Sequence, residues 1–70
     1  MAQLQVWRHT KSGEDFIVIL DSDGQVVEAS GPLHHTETQE ALDQGFDNDP
    51  EMVEELREHG DQYVLLKNFP

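Results

Sequence analysis

Seventy residues carry four Lys and Arg against fifteen Asp and Glu, a formal net charge of −11. There is no cysteine, so neither a disulfide framework nor a zinc–thiolate centre can hold the fold together. A surface this acidic repels nucleic acid phosphates and anionic lipid headgroups. It disfavours direct binding to either and makes basic protein surfaces the natural attractive partners.

The length predicts one domain, residues 1–70, near the lower limit for a self-sufficient core. Burying roughly six to ten apolar side chains at ~1.5–3 kcal/mol each must offset most of the ordering entropy. A homodimer would widen that margin, because a shared interface adds apolar burial without lengthening the chain. Met1-Ala2-Gln3-Leu4 has neither a basic segment nor an apolar one behind it, so no secretory signal is expected. The longest apolar run, Phe16 to Leu20, is too short to span a bilayer. No membrane association is expected, and a cytoplasmic protein is the default reading.

Leu4 to Thr10, with Val6 and Trp7, reads as a first strand, and Lys11-Ser12-Gly13-Glu14 as the turn after it. The loop length leaves two registers open. Either Trp7 shares a face with Phe16, Val18 and Leu20, or Leu4 and Val6 do.

Asp15 to Gly31 reads as a β-hairpin around Asp23-Gly24, residue types suited to turn positions with positive φ. A two-residue loop would set Leu20 opposite Val27 and Val18 opposite Ala29. One face is then Phe16, Val18, Leu20, Val27 and Ala29. The other carries Ile17, Ile19 and Val26 among Asp21, Glu28 and Ser30. Two isoleucines in mid-strand predict that this second face is also covered.

Thr36 or Thr38 is placed to cap a helix reaching Gly45 or Phe46, and Thr36 with Gln39 has capping-box spacing. Asp49, Pro50 and Glu51 start a clearer one. It runs from Pro50 to His59 with Met52, Val53, Leu56 and His59 in one stripe, and Gly60 is expected to end it in the left-handed region. Gln62 to Phe69 is the last strand, followed by Pro70, so no tail is expected. The fold class predicted is α+β: a small antiparallel sheet in the order β-β-β-α-α-β with the helices packed on it.

Residues that could carry chemistry have simpler readings. Asp21-Ser22-Asp23-Gly24 resembles a calcium loop superficially, but Gly follows the second Asp directly and hairpin-turn chemistry accounts for it. His34 and His35, with His9 and His59, could bind Zn²⁺ only if the fold gathered them. No nucleophile-elbow or P-loop pattern is present. The expectation is a non-enzymatic protein without metal or cofactor. Phe16-Ile17-Val18-Ile19 to Asp23-Gly24, then Gly31-Pro32-Leu33 and Thr38-Gln39-Glu40-Ala41-Leu42, resembles the hairpin-then-helix opening of HicB-type antitoxin domains. The likeness covers under half the chain, and Pro50 to His59 has no counterpart in it. What it implies is a small inhibitor or antitoxin.

Two functional readings follow. The first is an interaction module that self-associates through its sheet as a homodimer, with Trp7, Ile17, Ile19 and Val26 at the interface. The alternative is an acidic inhibitor or nucleic-acid mimic that meets a basic protein partner through Glu40, Asp43, Asp47, Glu51, Glu54, Glu55 and Glu58. No Lys or Arg occurs from Ser12 to Leu56, which motivates the second reading. The same acidity also fits adaptation to high salt.

Overall fold

The structure, a computed structural model, describes residues 2–69; Pro70, expected to stop the last strand, lies outside them. Strands β1 (Gln3–His9), β2 (Asp15–Leu20) and β3 (Val26–Ala29) are followed by helices α1 (His35–Gln44) and α2 (Pro50–His59). A 3₁₀ turn at Gly60–Gln62 leads into β4 (Tyr63–Phe69). The four strands form one antiparallel sheet in the order β3-β2-β1-β4, so the last strand returns beside the first.

The β1–β2 register resolves the ambiguity at Trp7. Trp7 pairs with Phe16 and Val6 with Ile17, which places Trp7 on the Phe16/Val18/Leu20 face and Leu4 and Val6 on the other. The β2–β3 hairpin departs from expectation. Asp21 N–H donates to the Gln25 carbonyl, and Asp21 Oδ1 accepts from the Asp23 and Gln25 amides, leaving a three-residue loop with Gly24 at φ 81°. Val18 pairs with Ala29 as predicted, but Leu20 pairs with Val26, with an irregularity between. That extra residue turns Val26 into the core and leaves Val27 40% exposed, reversing the predicted faces of the two valines.

Both helices are amphipathic, and they cover opposite faces. Leu56 of α2 is buried against Phe16, Val18, Leu20, Val26 and Ala29, with Met52, Val53, Trp7 and Tyr63 around them. The α2 start is as predicted: Asp49 accepts from the Glu51 and Met52 amides and Pro50 opens the helix. Its end is not. Gly60 has φ −59° and continues into the 3₁₀ turn, with Trp7 against it, while His59 of the predicted stripe is exposed.

Helix α1 begins earlier than either threonine suggests. His34 is the N-cap, its amide donating to Glu37 Oε1. Thr38 is buried within the helix and turned toward Asp15, on the sheet face opposite α2. The result is three layers over β2 and β3, with α1 on the Ile17 side and α2 on the Phe16 side.

Candidate interaction surface

The anchor of α1 is a buried carboxylate. Asp15 exchanges backbone hydrogen bonds with Leu33, and its side chain accepts from Arg8 Nε at 2.9 Å and Nη2 at 3.5 Å. The Thr38 hydroxyl stands 3.5 Å from Asp15 Oδ2 and 3.4 Å from the His34 carbonyl. A carboxylate this buried needs such partners, and the Arg8 fork supplies charge as well as donors. The consequence is that α1 sits on β2, and Ile17 beneath it is 0% exposed.

That seal corrects the predicted interface. Ile17 is dry within a single chain, Val26 lies under α2, and Trp7 is half-buried on the α2 side, its Nε1–H bonded to Gln5 Oε1 at 2.8 Å. Ile19 is half-buried on the α1 side, paired with Leu4 and Glu28. The four residues do not form one surface, because β2 is sandwiched by helices.

What the helices leave open is the outer strand of the β1–β4 half, since Val6 of β1 is buried while β4 is exposed along most of its length. Val64 is 46% exposed, Leu65 56% and Leu66 44%, a run of three large apolar side chains on an outer strand. They alternate between faces. Leu65 pairs with Trp7, and Val64 with Arg8; an extra residue between Leu65 and Lys67 interrupts the ladder at Leu66. Leu66 and Lys67 border a groove of about 270 Å³ whose other walls include Val6, Thr38, Gln39 and Leu42. Lys67 Nζ lies 5.0 Å from the Phe69 ring centroid. At the head of the strand Tyr63 packs edge-on to Phe16 at 5.5 Å and against His9 at 4.9 Å. Burial, with Glu55 and Glu14 nearby, raises the Tyr63 phenol pKa above its ordinary value.

The two edges of the sheet differ. The β3 edge is short and occupied: Asn48 Oδ1 accepts from Ala29 N–H, Asp49 N–H donates to the Ala29 carbonyl, and Arg57 Nε donates to the Val26 carbonyl at 2.8 Å. On β4 no hydrogen bond beyond the ladder to β1 reaches the backbone of residues 64–69, among the described residues. Charge follows the same division. Neither β1 nor β4 contains an Asp or Glu, although the chain has fifteen. Arg8 and Lys67 lie on these two strands.

The predicted acidic residues are divided by the sheet. Glu40 and Asp43 ride on α1, Glu51, Glu54, Glu55 and Glu58 on α2, and Asp47 lies in the connection. Helices on opposite faces present no single acidic ridge. Among the histidines, His34 and His35 stand together at the start of α1, His9 packs on Tyr63, and His59 ends α2. No group of three potential metal ligands forms among the described residues. No helix among them is long and apolar enough to cross a membrane.

The residues that sequence reasoning missed are Val64, Leu65 and Leu66. Their signal was present: Gln62 to Phe69 is apolar on both sides and lacks any carboxylate in a chain otherwise rich in them. Compared with known proteins, the chain finds no match among family models, curated proteins or solved structures, and the HicB-type likeness gains no support from them.

Proposed function

We propose that this chain is a small, non-enzymatic protein-interaction module that self-associates through the open half of its sheet. The observation that carries this reading is the Val64-Leu65-Leu66 run, half-exposed on an outer strand in a domain with little apolar surface to spare. Fully burying one such side chain is worth about 1.5–3 kcal/mol. Half-exposed, three from each of two copies offer on the order of 5–9 kcal/mol before association costs. Those costs are about 4–15 kcal/mol, so the expected homodimer is weak and concentration-dependent.

A basic protein partner is the alternative that net charge raises. It would have to engage carboxylates on helices either side of the sheet. Sedimentation velocity or light scattering across the micromolar range tests self-association. A reversible monomer–dimer equilibrium is expected; a monomer persisting to about 1 mM, a binding free energy weaker than about −4 kcal/mol, overturns it.

A further inference from the structure

We infer that the two copies join edge to edge, β4 against β4 of a second chain in antiparallel orientation, making one continuous eight-stranded sheet. The inference rests on the self-association reading and names the surface and geometry that reading leaves open.

Three independent features favour the edge. First, the sheet has one occupied edge and one open one. Asn48, Asp49 and Arg57 engage the outer backbone groups of Ala29 and Val26 on β3. Occupied edges of this kind block strand addition, and an open one invites it.

Second, the phase of the β1–β4 ladder leaves a donor free. Thr10 N–H donates to the Gln62 carbonyl, so Gln62 and, by alternation, Val64 turn their backbone groups toward β1. Leu65 turns its own outward. Tyr63 does not compete as a second open donor, since its N–H bonds the Gly60 carbonyl.

Third, charge selects the partner. A chain of net charge −11 repels its own copy over most of its surface. The carboxylate-free strands β1 and β4 are where two copies approach without that repulsion, and β4 alone has a free edge. A two-fold axis at Leu65 would set Leu65 of one chain against Leu65 of the other and Val64 against Leu66.

Amide hydrogen exchange on the unmodified protein, read residue by residue at dilute and concentrated conditions whose oligomeric state is measured in parallel, tests the geometry. The Leu65 amide is expected to slow at least about tenfold as the dimer populates, while core amides of β2 keep their rates. The absence of native cysteine allows a second readout. Leu65→Cys, exposed and on the two-fold, is expected to form an intermolecular disulfide under mild oxidation. Val27→Cys, half-exposed beside the occupied edge, is not. A dimer whose Leu65 amide exchanges equally fast at all concentrations overturns the edge pairing and leaves self-association standing. A chain that never dimerises overturns both.

Discussion

Replacing Ile17 with alanine separates burial within one chain from burial between chains. Ile17 is 0% exposed beneath α1 with no partner present. Removing its three outer carbons leaves a cavity between the sheet and the Asp15–Thr38 anchor, and such truncations cost about 2–5 kcal/mol. A domain of this length has roughly 3.5–10 kcal/mol in total at ~0.05–0.15 kcal/mol per residue. The variant therefore loses about a fifth or more of its stability, which corresponds to a fall in Tm of about 8 °C or more. Thermal and urea unfolding followed by circular dichroism, at a concentration where the chain is monomeric, gives the magnitude. Sedimentation of the still-folded variant gives its oligomeric state. A loss under about 1 kcal/mol, or a variant equally stable as a monomer but unable to associate, would refute the placement of Ile17 inside the isolated subunit.

Other outcomes follow from the same contacts. Asp49→Ala removes the acceptor for the Glu51 and Met52 amides and is expected to cost about 0.5–2 kcal/mol in urea unfolding. Because the folded-state pKa of Tyr63 is raised, its contribution is intact below the ordinary phenol value near 10 and is lost as pH rises through the higher folded value. Melts between about pH 8 and 11 should fall more steeply for the native chain than for Tyr63→Phe; parallel curves would contradict this. With a net charge of −11, moving from low to about 1 M NaCl should raise Tm by screening self-repulsion, and a flat response would reject that role for the charge.

How much of this was legible in the sequence depends on the range of the interactions involved. Helix α2 was readable because Asp49, Pro50 and Glu51 act on their own first turn. The order of strands and helices was readable because periodicity and turn residues are local too. The hairpin register was half right: Val18 meets Ala29, but one extra residue sends Val26 inward and Val27 out. Asp-Gly suits both a two-residue loop and the three-residue loop found here, so residue type alone does not choose between them.

The assignment of helices to sheet faces was the larger gap. It turns on Thr38 reaching Asp15 and on Asn48 and Asp49 bonding Ala29, contacts between residues some twenty apart in the chain. The open half of the sheet is a product of those same contacts. An apolar strand at the end of the chain reads identically whether a helix covers it or not.

Sedimentation equilibrium of the native chain beside Leu65→Glu tests the adhesive strand most directly. Leu65 is 56% exposed, so the substitution should leave the fold within about 0.5 kcal/mol of its original stability. It also sets a carboxylate against its own copy across the two-fold. The account predicts a native dimer and a folded, monomeric variant. A variant that associates as tightly as the native chain would contradict it.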